Sequence, residues 1–111
     1  MDQTYVASYR ARLEALLHDL EAEEGLGEDE TRTVELDQQS VGRLSRMDAL
    51  QRQAMAKATR TRRAGMIRRV RAALLRIEAG EFGYCSECGE DIAEERLALD
   101  PTVPTCINCA R

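Results

Sequence analysis

The sequence has no tryptophan, one phenylalanine and three tyrosines among its 111 residues. A chain so poor in aromatic residues has few side chains large enough to fill a broad globular core. It also lacks a signal-peptide pattern and an apolar run of the roughly 18 residues that a membrane helix needs, so we expect a cytoplasmic protein with no membrane contact. Stability should therefore come from a helical seam, a metal or both.

Catalytic motifs are absent as well. The sequence contains no glycine-rich phosphate loop and no nucleophile motif. The one histidine, His18, lies among leucines of a predicted helix, and we interpret it as a partly packed surface residue rather than a general base. We expect no enzymatic activity.

Charge is unevenly distributed around a net value of −4. Residues 1–37 hold eleven acidic side chains against three arginines, whereas residues 42–76 hold eleven basic ones against Asp48 alone. The remaining residues are acidic again. An acidic arm beside a basic arm would attract each other along their flanks, although solvation of two helix faces explains the same pattern equally well.

Two stretches have the apolar spacing of amphipathic helices. The first consists of Val6, Tyr9, Leu13, Leu16, Leu17 and Leu20. The second, over about 45–79, consists of Leu44, Met47, Leu50, Ala54, Ala58, Met66 or Ile67, Val70, Leu74 and Ile77. Neither narrow stripe could be buried alone, so we predict an antiparallel two-helix hairpin with coiled-coil character.

The ends of these helices are predicted from their capping signals. Gly25 and Gly27 lower helix propensity by about 1 kcal/mol each, which predicts a long tip loop over about 25–44. Ser45 is a candidate N-cap, with Asp48 as its capping-box partner. Gly80 stands where a C-cap glycine is favoured.

Four cysteines form two C-x-x-C pairs separated by seventeen residues, Cys85 with Cys88 and Cys106 with Cys109. In a reducing compartment this spacing favours one tetrahedral metal ion over disulfides. Four thiolates leave no coordination position for water, so the sequence predicts structural Zn²⁺ in a globule over residues 80–111, attached to the hairpin of residues 1–79. An iron–sulfur centre and a thiol switch that releases zinc on oxidation are the competing interpretations.

The motif Glu-Phe-Gly-Tyr-Cys-Ser-Glu-Cys-Gly over residues 81–89 resembles the DksA/TraR family of C4-type zinc-finger proteins. Ile92, Arg96-Leu97, Pro101 and Cys-Ile-Asn-Cys over 106–109 belong to the same pattern. The resemblance implies a zinc globule with a two-helix coiled coil that inserts its tip into the secondary channel of bacterial RNA polymerase and modulates transcription initiation. It also links the chain to the stringent response, with guanosine tetraphosphate as a ligand at the polymerase interface.

The familiar Asp-x-x-Asp-x-Ala tip of that family is not present. The nearest candidates for a partner-binding tip are Asp37, Ser45, Arg46, Asp48 and Ala49. Asp48 serves equally well as a capping residue, and dependence on the nucleotide is left open. We expect a monomer without direct sequence-specific DNA binding.

Three other functions compete with this one. The arginine-rich run over residues 60–71 would suit direct nucleic-acid binding, but the acidic arm would neutralise it and no aromatic residues interleave for base stacking. The thiols would suit a zinc-dependent redox sensor. A helical hairpin would also suit a module that binds some other protein.

Overall fold

The described part of the chain contains three helices: α1 over Gln3–Asp37, α2 over Arg43–Glu78 and α3 over Glu94–Leu99. The computed structural model describes residues 3–37 and 43–110, and the side chains of residues 3–26 and 45–110. Within these ranges the sole β pairing is an isolated bridge between Tyr84 and Asp91. None of the helices described is long and apolar enough to cross a membrane. The three helices, with one isolated bridge among the described residues, confirm the mainly α class.

α1 is longer than predicted. The prediction that it ends near Gly25, with a loop over 25–44, is wrong, because helical backbone continues to Asp37. Glycine propensity is a weak local preference. It is outweighed here by pairing with α2, since the carboxylates of Glu23 and Glu24 lie beside arginines of that helix just before Gly25.

α2 begins at Arg43, so Ser45 lies inside the first turn and the N-cap prediction is wrong. Its C-terminal prediction is confirmed. Gly80 adopts φ +73° and donates its N–H to the Ile77 carbonyl at 3.2 Å, while Glu81 donates to the Arg76 carbonyl at 2.8 Å. These two bonds form a Schellman motif, which turns the chain sharply into the cysteine-rich segment.

The chain divides into two compact units, neither of which ends at the predicted boundary of residues 79 and 80. One unit comprises Met1–His18 and Arg68–Arg111. Its core contains Leu13, Val70 and Leu97, each with no exposed surface, and the aromatic pair of Tyr9 and Phe82, whose ring centroids lie 5.4 Å apart. Both helix ends therefore share a core with the cysteine-rich segment.

The other unit, Asp19–Ile67, pairs the remaining parts of α1 and α2. Glu23 lies 3.5 Å from Arg63 and Glu24 lies 3.8 Å from Arg60, which fixes an antiparallel arrangement because the numbering rises on one helix as it falls on the other. The Arg63 side chain is only 14% exposed. The predicted attraction between the acidic and basic arms is thus present in this unit.

The seam of this unit differs from the predicted one. Ala49 and Gln53 are buried, whereas Met47 and Leu50 are 62% and 53% exposed. The side of α2 that faces α1 here therefore contains the small Ala49 and the polar Gln53 in place of the larger apolar side chains. A small side chain such as that of Ala49 lets the two helices approach closely. With this side of α2 facing α1, Arg60 and Arg63 lie beside Glu24 and Glu23 of α1. The second half of the predicted seam is confirmed, because Ile67, Val70 and Ile77 are buried.

Candidate metal centre

The first cysteine pair lies on a tight turn just after α2. Cys85 donates its N–H to the Glu90 carbonyl at 2.7 Å, and Gly89 donates to the Cys85 carbonyl at 2.9 Å. The Glu87 N–H points to the Cys85 sulfur at 3.4 Å. Gly89 adopts φ +77°, a conformation that side chains other than glycine rarely take. The turn therefore holds both sulfurs of the pair on one side of the backbone.

The second cysteine pair lies on a similar turn. The N–H groups of Cys109 and Ala110 donate to the Cys106 carbonyl at 3.1 and 3.0 Å. A backbone hydrogen bond of 2.9 Å from the Ser86 N–H to the Pro104 carbonyl joins this turn to the first. The two pairs, seventeen residues apart in sequence, are thereby brought face to face.

The four sulfur atoms, one from each cysteine, all lie within 4.8 Å of one another. The distance from the Cys88 sulfur to the Cys106 sulfur is 3.7 Å. Zinc–sulfur bonds of about 2.3 Å in a tetrahedral site place sulfurs about 3.8 Å apart. The cluster therefore fits a zinc ion, and the donor set is the one that zinc prefers in structural sites.

The electrostatics of the cluster call for a cation. Burial raises the pKa of the Cys85 thiol, but hydrogen bonds from the backbone of Cys106 and the first turn together lower it to about 6. The sulfur of Cys106, followed by those of the other cysteines, raises the pKa of Cys109 to about 12. One thiolate forms readily, whereas the Cys109 thiol keeps its proton mainly because it is hydrogen-bonded to the other sulfurs, with burial and charge repulsion from Cys106 as smaller causes. A bound dication would remove that repulsion and hold all four thiolates.

Arginine side chains hold the segment between the two cysteine pairs in place through hydrogen bonds to its backbone. Arg12 of α1 donates to the Ala98 carbonyl at 2.8 Å, and Arg76 of α2 donates to the Thr102 carbonyl at 3.3 Å. Arg96 donates from Nε to the Thr105 carbonyl at 3.0 Å, next to Cys106. Burial lowers the pKa of Arg76. Sequence reasoning missed these supporting residues, because arginines on amphipathic helices carry no signal that separates them from solvated ones.

The proposed tip residues are only partly accessible. Ser45, Arg46 and Asp48 are exposed on the first turns of α2. Ala49, by contrast, is 4% exposed and packs in the seam, so its side chain is closed to a partner. Asp37 is the last residue of α1, and its side chain lies outside the described residues. His18 is exposed on α1, in agreement with its interpretation as a surface residue.

The cysteine-rich segment is similar in sequence to known proteins. The profile of the prokaryotic dksA/traR C4-type zinc finger matches residues 80–111. RNA polymerase-binding transcription factor DksA of Haemophilus influenzae is 38% identical over 50 residues, which are 45% of this chain and 34% of that protein. The protein of the same name from Escherichia coli K12 is also 38% identical over 50 residues, 33% of its length. The matched segment thus spans about a third of these curated relatives.

The fold is shared over a longer stretch. The structure of transcription factor DksA2 from Pseudomonas aeruginosa superposes with a TM-score of 0.84 at 25% sequence identity, covering 97% of this chain and 81% of that one. The likeness therefore includes both long helices as well as the cysteine loops. Four clustered cysteines in a matching zinc-finger profile over residues 80–111 and this shared helical architecture make the chain similar to the DksA/TraR C4-type zinc-finger proteins.

Proposed function

We propose that this chain is a cytoplasmic transcription regulator that binds bacterial RNA polymerase, inserts its helical hairpin into the secondary channel and modulates initiation. The observation that carries the proposal is the likeness to DksA2 over nearly the whole chain, helices and cysteine loops together. Two of the matched relatives are named RNA polymerase-binding transcription factors. A likeness confined to residues 80–111 would support a zinc finger and nothing more.

Zinc has a structural role in this proposal. Cys85, Cys88, Cys106 and Cys109 would hold the ion, which supplies the link between two turns that have little core of their own. Four protein ligands leave no position for an activated water, so the metal would take no part in a reaction. This favours a binding protein over an enzyme.

The hairpin provides the surface that would enter the channel. Its exposed residues near the start of α2 are Ser45, Arg46 and Asp48. Asp48 is the one carboxylate among the basic residues of this arm. A carboxylate on a basic surface gives a partner one distinct hydrogen-bond acceptor to recognise, for which the neighbouring arginines compete. We therefore assign the regulatory contact to Asp48, with Ala49 supporting it from within the seam, and we keep Asp37, the last residue of α1, as a second candidate contact.

Direct nucleic-acid binding fits the chain less well. Arg60 and Arg63 are already beside Glu24 and Glu23, which reduces the positive potential of that face. We accordingly propose a monomer that acts on polymerase without sequence-specific DNA contact. Guanosine tetraphosphate, bound at the interface with polymerase, is proposed as a modulator of the complex.

The experiment compares three zinc-loaded proteins in polymerase binding and single-round transcription: the intact chain, Asp48→Asn and Asp19→Asn. Asp19 is also exposed but lies on the acidic arm, so its variant is the matched control. We expect all three to bind polymerase, while Asp48→Asn alone loses most of the effect on transcription. Equal activity of the two variants would remove the role of Asp48, and failure of the intact chain to bind would refute the proposal.

A further inference from the structure

The surface of the cysteine-rich segment carries an apolar groove beside the zinc site, with Cys106 in its lining. Leu99 at the end of α3 is 85% exposed, and Ile107 between the second pair of cysteines is 73% exposed. Together with Val103 they line a cavity of about 610 Å³ on the outside of the segment. Two large apolar side chains this exposed, side by side, are a costly arrangement unless a partner covers them.

Leu99 is exposed although α3 is not apolar on every side. α3 has a clear buried side, because Leu97, two residues earlier, has no exposed surface. Residues two apart on a helix point in nearly opposite directions. Leu97 thus belongs to the buried core of its unit, and Leu99 contributes nothing to that core. Replacing Leu99 should therefore leave the fold intact.

The rim of the groove is acidic. Of the described residues that line it, Asp91, Glu95 and Asp100 are acidic and Arg96 alone is basic. The Arg96 guanidinium already donates to the Thr105 carbonyl. Among the described residues, neither the Asp91 carboxylate nor the Glu95 carboxylate takes part in an ion pair. An apolar floor inside a negative rim is complementary to an apolar side chain flanked by positive charges.

We propose that this groove, formed by Leu99, Val103 and Ile107 with the rim of Asp91 and Glu95, docks a basic segment of a protein partner. The segment places one bulky apolar side chain between Leu99 and Ile107, and its lysines or arginines lie over the acidic rim. Nucleic acid is disfavoured by the charge of the rim. The docking site is separate from the hairpin and does not depend on polymerase binding.

The test uses the full zinc-loaded chain labelled with nitrogen-15 and two synthetic amphipathic peptides of leucine with either lysine or glutamate. Titration with the lysine peptide should produce saturable amide shifts concentrated at Leu99, Val103 and Ile107, and the glutamate peptide should produce none there. Leu99→Ser should weaken binding of the lysine peptide about tenfold, the effect of losing most of a leucine side chain's burial. Glu95→Lys should also lower the affinity for the lysine peptide, and the loss of affinity should be larger at low salt than at high salt.

Leu75→Ser is the matched control, because Leu75 is also exposed, at 66%, but does not line the groove. It should leave the affinity unchanged. The proposal is overturned if the shifts spread over the acidic face of α1, if both serine variants bind as well as the intact chain, or if the glutamate peptide binds equally. It is also overturned if the groove proves to be covered by a second copy of the chain in the absence of peptide.

Discussion

Two glycines offer the same chemical change with opposite expected effects on stability. Gly25 lies within α1, whereas Gly80 follows α2 in the left-handed conformation, with φ +73°. A Cβ atom built at either position meets no atom of the described residues within 4 Å. Packing therefore contributes equally little at both sites, and the backbone alone decides the sign of the effect.

Gly25→Ala should raise the free energy of unfolding by about 0.5–1 kcal/mol, since alanine loses less backbone entropy in a helix. Gly80→Ala should lower it by about 1–2 kcal/mol, because an L-residue is strained in the left-handed region. Gly80→Asn should cost less than Gly80→Ala, as asparagine tolerates that conformation. The two alanine variants should thus differ by about 2 kcal/mol.

The assay is urea unfolding of each zinc-saturated variant, followed by far-ultraviolet circular dichroism. The intact chain and Gly80→Asn serve as references. A loss of stability in Gly25→Ala would refute the assignment of residues around Gly25 to a continuous helix. A gain in Gly80→Ala would refute the Schellman motif that leads into the cysteine loops.

Other substitutions test the cores and the metal. Leu50→Gln should change the free energy of unfolding by less than about 0.5 kcal/mol, whereas Ala49→Gln should lower it by about 1–3 kcal/mol through overpacking. If urea unfolding gives the reverse order, Leu50 rather than Ala49 faces α1, as periodicity predicts. Leu13→Ala should cost about 2–5 kcal/mol in the same assay, and a cost below about 1 kcal/mol would mean that Leu13 is not in a closed core. A strong chelator should release one zinc per four reactive thiols, measured with a metal indicator and a thiol reagent, and Cys109→Ser should bind zinc far more weakly; unchanged zinc retention in that variant would exclude Cys109 as a ligand.

The cysteine cluster could be predicted from sequence because its geometry is mostly local. Each C-x-x-C pair forms its own turn, so spacing alone indicates where two sulfurs lie. The role of Gly80 as the residue that ends α2 could also be predicted, since few residues suit the left-handed position after a helix. The groove of Leu99 and Ile107 could not be foreseen, because its two sides come from α3 and the second cysteine turn, which meet only in the folded chain.

The helices show where periodicity stops being informative. Leu50 and Ala49 lie on adjacent sides of one helix, and the spacing of apolar residues cannot say which side faces the neighbouring helix. Contacts between residues distant in sequence, including the one between Glu23 and Arg63, determine which side of α2 faces α1. The same pairing carries α1 past Gly25, where local propensity predicted a loop. Both differences have one physical cause, the override of local preference by tertiary packing.

Equilibrium binding of the zinc-loaded chain to purified bacterial core RNA polymerase tests the central claim most directly. A fluorescent label at an exposed site away from the hairpin would report the complex by anisotropy. The proposed function predicts a saturable one-to-one complex that an unlabelled secondary-channel protein displaces. No complex, or a complex that such a competitor leaves intact, would contradict it and leave a zinc-finger fold with a different partner.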